Sequence, residues 1–238
     1  LSLLIYRLSR AFREQFFSRN IEEIQIDSKL RIYGASLAFT HLLSCYFWVM
    51  DRSLVDILTN NISAICWPFF TSCYAFRLPS AEFVYPILLI YIFSSVASVY
   101  FFLISRKLAG RGYWFLLFVT FFKLLLFVQD YRLRMNQHYM VLFVSLSFLF
   151  IPKKLFSIKW LIVLFYFWAG TLKLNQEWLS GAGIYRIDRL WIPKSLHVLS
   201  FYYVILLEMI FSFGLLLKKR SWFWFVFLQF LLFHLFSW

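Results

Sequence analysis

Seven stretches of this chain are so nearly free of ionisable side chains that water cannot be their solvent: Tyr33 to Met50, Phe83 to Ile104, Tyr113 to Gln129, His138 to Ile151, Trp160 to Leu174, Leu196 to Leu217 and Trp222 to Trp238. A helix rises about 1.5 Å per residue, so roughly 20 apolar residues cross a bilayer, and several of these runs fall a little short of that. Within hydrocarbon the backbone must satisfy its own hydrogen bonds, which helices do segment by segment. The pattern predicts an all-α polytopic integral membrane helical bundle with about seven membrane segments. Composition agrees: 62% of residues are hydrophobic, 24% are aromatic and the mean hydropathy is +0.74, values outside the range of soluble domains.

Two stretches depart from the spanning pattern. From Leu1 to Asn20, Leu4, Leu8, Phe12 and Phe16 recur at helical spacing while Arg7, Arg10 and Glu14 turn to another face. That is an interfacial amphipathic helix, too charged to span. Residues 1–30 form this helix and a connector, and residues 31–238 form the transmembrane domain. Asn61 to Ala75 is apolar but short and interrupted by Pro68, and reads as a re-entrant or interfacial piece. A start at Leu1 without methionine and a stop inside an apolar run at Trp238 read as a chain incomplete at one or both ends.

The net charge is +13, and on such a chain a basic excess faces anionic lipid rather than nucleic acid. With the N-terminus cytoplasmic, fifteen Lys and Arg residues fall on the cytoplasmic side and seven on the other, leaving Lys123 and Lys173 inside spans. This asymmetry supports seven crossings and places the loop after Lys173 on the extracytoplasmic side. Cys66 and Cys73 pair if their loop faces an oxidising compartment; with Cys45 they make no metal motif, and no metal is expected. Phosphate loops, dinucleotide fingerprints and nucleophile elbows are absent.

Chemistry then rests on six polar residues in or at the mouths of apolar segments: Lys123, Asn136, His138, Lys173, Glu208 and His234. Lys173 closes the run WLIVLFYFWAGTLKL. An amine at membrane depth costs up to about 3 kcal/mol, so Lys173 either has a task or snorkels to the headgroups. A lysine in dry surroundings becomes a base near neutral pH, and a nearby histidine relays a proton or holds a substrate oxygen. The plainer readings are an interfacial His138, a Glu208 that fastens two helices, and a His234 that packs by hydrogen bond. For Lys123, TFFKLLLF offers no neighbouring partner.

The stretch YFWAGTLKLNQEWLSG resembles the signature of the HTTM membrane domain, the family of the vitamin K-dependent gamma-carboxylase and its bacterial relatives. The matching positions are Ala169, Gly170, Lys173, Leu174, Asn175, Trp178 and Gly181. Asn136 and His138 in MNQHYM, Glu208 in LLEMIF and His234 in LLFHLF follow in the family's order, across Arg31 to Trp238. The resemblance implies that Lys173 deprotonates a reduced quinone of the vitamin K type and that His138 assists near it. Asn136, Asn175, Trp178, Glu208 and His234 would support the site. In the family carboxylase the quinone anion reacts with oxygen to give a base that takes the gamma proton of a peptidyl glutamate, and the carbanion captures carbon dioxide.

Two departures stand out. The large lumenal domain of the animal enzyme is absent here, and Leu172 stands where that enzyme has a second lysine. Bacterial relatives limited to the membrane domain include maturation proteins resembling those of the sporulation-delaying-protein pathway. The expected partners are membrane lipid, a secreted peptide and other membrane subunits. The rival expectation is a non-catalytic subunit or peptide-maturation partner that binds quinone or lipid within a larger complex. A transporter is disfavoured because neither an inverted repeat nor paired broken helices are evident.

Overall fold

The computed structural model describes residues 17–50, 54, 57–58, 65–76, 80–133, 136–180 and 196–236. The amphipathic stretch before Phe17, and the loop from Gly181 to Lys194, lie outside the described residues. Contacts divide the chain into two compact units, Leu1–Leu155 and Phe156–Trp238. Among the described residues the regular structure is helical, with one isolated bridge between Trp67 and Phe70.

The first unit contains α1 (Arg19–Ile26), α2 (Ser28–Met50), α3 (Ala81–Ile104), α4 (Ala109–Phe127) and α5 (Asn136–Phe150). The second is built from α6 (Lys154–Leu172), whose first turn crosses the boundary, then α7 (Gln176–Leu179), α8 (His197–Met209) and α9 (Arg220–Phe236). A 3-10 segment, Phe211–Leu216, prolongs α8. Among the described residues, five helical stretches are long and apolar enough to cross a membrane: Ser28–Met50, Glu82–Ile104, Ala109–Phe127, Lys154–Leu172 and Val198–Leu216. His138–Phe150 and Arg220–Leu235 are apolar but shorter. The chain is therefore a helical, membrane-embedded protein.

Without a hydrophobic drive between helices in lipid, close approach depends on small residues. In the first unit Phe102 is fully buried, and a Cβ on Gly34 or Gly112 would come within 2.9 Å or 3.0 Å of its ring. Glycine at both positions lets α2 and α4 close on this ring of α3. Ser98 Oγ uses the same approach to donate to Gly112 O at 2.9 Å.

Long-range polar contacts fix the two ends of this unit. At one end, Cys66 and Cys73 form a disulfide. Trp67 Nε1 donates to Phe127 O at 3.1 Å and Tyr131 N donates to Ile65 O at 2.7 Å, tying this loop to the α4–α5 connection. There Asp130 accepts from Arg132 Nε at 2.9 Å and from Arg132 Nη2 at 2.7 Å. At the other end, Glu23 of α1 accepts from the backbone N–H groups of Lys153 (3.1 Å) and Lys154 (2.7 Å). Those are orphan donors at the start of α6, and Lys153 holds a positive φ of 53° there. Lys154 Nζ donates back to Asn20 Oδ1 at 2.6 Å. This anchoring explains why α6 begins at Lys154 rather than at the apolar edge near Trp160.

In the second unit Leu207, Val226 and Phe230 form a buried centre against which Tyr166 packs. The outer faces of α6, α8 and α9 are apolar and exposed, Trp168 and Leu199 among them. This is the surface that a lipid-facing helix presents.

Candidate functional site

Lys173 lies just past the end of α6, where the helix tightens: Lys173 N donates to Gly170 O at 3.0 Å and Leu174 N to Thr171 O at 3.1 Å. Asn175 then serves both sides of the break. Its Nδ2 donates to Leu172 O at 2.8 Å, closing α6, and its Oδ1 accepts from Trp178 N at 2.9 Å, capping α7. This short turn brings the Trp178 ring to 5.2 Å from Lys173 Nζ, within cation–π range.

The ammonium of Lys173 donates to both carboxylate oxygens of Glu208 on α8, at 2.7 Å and 2.5 Å. The side chains are 16% and 4% exposed respectively. Gly170 permits the contact, because a Cβ there would lie 2.6 Å from Met209 Cγ and 3.1 Å from Glu208 Cβ. A pair withdrawn from water in this way is costly to break, since either partner alone would be an uncompensated charge. Chemically it is an amine and a carboxylate that hold one exchangeable proton between them and have room for a second.

Two polar side-chain contacts between helices also belong to this unit. His234 Nε2 on α9 and the Tyr166 hydroxyl on α6 share a hydrogen bond of 2.7 Å, and Tyr203 donates to Gln229 Oε1. An open apolar groove of ≈ 840 Å³ runs along α8, lined by Leu199, Tyr202, Tyr203, Leu206 and Met209 among others. Met209 is the sequence neighbour of Glu208.

His138 belongs to the first unit and Asn136 opens α5. The His138 ring lies 4.8 Å from that of Trp48, centroid to centroid. Lys123 Nζ sits 5.2 Å from the Trp48 ring and donates to Ser44 Oγ at 2.8 Å. Beside it, His41 bonds the Tyr91 hydroxyl at 2.6 Å and Ser145 Oγ at 3.1 Å.

Of the residues singled out in the sequence, then, Lys173, Glu208, Asn175 and Trp178 come together, His234 pairs with Tyr166, and His138 stands with Trp48. Tyr166 and the His41–Tyr91–Ser145 set were missed. His41 was the one legible signal there, as a histidine inside an apolar run. Among the described residues no group of three or more His, Cys, Asp or Glu side chains is placed to hold a metal.

Fold and site together define a helical membrane protein with a lysine–glutamate ion pair at a helix end. No family model, curated protein or solved structure matches the chain.

Proposed function

We propose that this chain is a multi-pass membrane enzyme of the vitamin K-dependent carboxylase-like HTTM family, in which Lys173 takes a proton from a reduced quinone at the extracytoplasmic face. The observation that carries this reading is the bidentate contact of Lys173 with Glu208. These are two charges that the resemblance names independently and that are otherwise expensive in an apolar setting. Asn175 and Trp178, named by the same motif, hold the turn that presents the lysine.

The proton balance of the pair suits a base. With one proton it is an ammonium beside a carboxylate, whose proton-shifted form is an amine beside a carboxylic acid. Transfer from Lys173 to Glu208 frees the amine, which accepts the substrate proton, and Glu208 then releases its own. The open apolar face along α8, with Met209 next to Glu208 in sequence, supports a greasy hydroquinone as the substrate. When bound, such a group supplies an acidic hydroxyl and, with oxygen, the oxidising power for modifying a peptidyl glutamate. The role of Asn136 and His138 beside a quinone rests on the resemblance alone.

Sidedness follows as part of the proposal. The two shorter apolar helices complete seven crossings, with the N-terminus cytoplasmic. The Cys66–Cys73 disulfide supports this, because it belongs to a loop that the basic-residue count assigns to the oxidising side.

One observation favours a structural reading: Gly170 and the ion pair also fasten α6 to α8. Peptide mass spectrometry of proteins secreted by cells carrying this chain separates the two. The enzyme reading expects a glutamate heavier by one carboxyl group, lost in Lys173→Arg, which keeps a positive charge on Glu208, while the protein stays in the membrane. A variant that instead disappears from the membrane, with no modified peptide even in the parent, supports the structural reading.

A further inference from the structure

The first unit contains a buried lysine with one described hydrogen-bond acceptor and two unpartnered polar atoms close by. Lys123 is fully buried on α4, and its described hydrogen bond is to Ser44 Oγ at 2.8 Å. That hydroxyl donates onward to Thr40 O at 2.9 Å, which leaves its lone pairs to accept from Lys123 and supplies one of the three acceptors an ammonium can use. Among the described residues no carboxylate forms an ion pair with Lys123. Trp48, whose ring lies 5.2 Å from the ammonium, is also fully buried, and its indole N–H has no hydrogen-bond partner among the described residues. His138, 2% exposed and 4.8 Å from Trp48 ring to ring, has an unpartnered Nδ1. The neighbouring His41, Tyr91 and Ser145 are bonded to one another.

An indole can only donate, an ammonium can only donate, and a histidine nitrogen donates in one of its tautomers. Buried polar atoms left without partners are rare in folded proteins and commonly mark an ion or a water. An ammonium inside a bilayer also calls for negative charge nearby. The three residues come from α2, α4 and α5 and sit in or against a packed apolar core, which limits an occupant to a few atoms.

We propose that Lys123, Trp48 and His138 form a binding site for a small monovalent anion, of halide to bicarbonate size, within the first unit. Lys123 supplies the charge, the Trp48 N–H a fixed donor, and His138 Nδ1 a donor in its Nδ1–H tautomer. The site does not depend on the reading of Lys173.

The test uses the full chain in lipid nanodiscs, with its thermal unfolding followed at constant ionic strength in sodium gluconate, whose anion is too large for the site. Chloride and, separately, bicarbonate replace the gluconate. A saturable rise in melting temperature is expected, because a ligand that binds only the folded state stabilises it by mass action. A response to chloride assigns a halide-type site, and a response to bicarbonate alone assigns an oxyanion site. Trp48→Phe keeps a ring and removes the N–H, and should weaken half-saturation at least tenfold. Lys123→Met should abolish the response; if that variant does not fold, Trp48→Phe and His138→Phe carry the test. The proposal is overturned if neither anion shifts the parent, as expected for a site that holds water only. An equal shift in parent and variants overturns it too.

Discussion

Lys173 and Lys123 are both lysines set in apolar sequence, but the fold treats them in opposite ways. Lys173 stands at a helix end, keeps some exposure and has a carboxylate with both oxygens on its ammonium. Lys123 is in the last turns of α4, fully buried, and has a serine hydroxyl and an indole face. The first arrangement gives the ammonium its counter-charge. The second holds a charge, or leaves a place for its counter-charge. A lysine in a membrane helix is thus not one signal but two, told apart by what the neighbouring helix brings to it.

The contrast predicts effects of different size and sign. Glu208→Leu strips the counter-ion from Lys173 and should cause the largest loss, about 3 to 5 kcal/mol for a buried pair reduced to one charge. Reduced membrane abundance and a lower melting temperature would show it. Cys66→Ser opens the disulfide loop and should cost about 2 kcal/mol by the chain-entropy relation for so short a loop. The corresponding loss in the parent under reducing conditions checks it. Glu23→Ala removes the acceptor for two helix-start donors and should cost about 1 kcal/mol, read from the same melting curves.

Acid should act in the first unit through Asp130, outside the spans. Burial raises its carboxyl, but the side-chain and backbone hydrogen bonds from Arg132 outweigh that and hold it below the usual carboxylate range. Its folded value is therefore depressed. The stability it contributes is present at neutral pH and is lost as pH falls below about 4, the unfolded carboxylate value, and through the folded one. Asp130→Asn should flatten that limb of the pH–stability curve. Smallest is Lys123→Met in gluconate. Removing a charge that has no carboxylate partner among the described residues should leave stability unchanged or slightly raised, and a loss matching that of Glu208→Leu would end the contrast.

Much of the helical architecture was legible because apolar runs of this length admit few other structures in lipid. Helix ends were less so. The start of α6 at Lys154 depends on Glu23, which is 131 residues away in sequence, and no local pattern reveals such a cap. Lys173 and Glu208 stood out as charges in apolar surroundings, whereas their meeting rests on the close approach at Gly170. Lys123 looked partnerless because Ser44 lies 79 residues away and Trp48 is on the same distant helix. Asn175 and Trp178 were named through the family motif; that one asparagine closes α6 and caps α7 emerges only from the backbone geometry.

The central claim, that Lys173 acts as a base rather than as a fastening, is tested most directly by Lys173→Arg. Arginine keeps the positive charge and can hold Glu208 bidentately, but it does not give up its proton. Membrane abundance and carboxylation of secreted peptides should be measured together in parent and variant. The account predicts abundance near that of the parent with the modified glutamate gone. Undiminished modification in Lys173→Arg would contradict it and leave the ion pair as a fastening between α6 and α8.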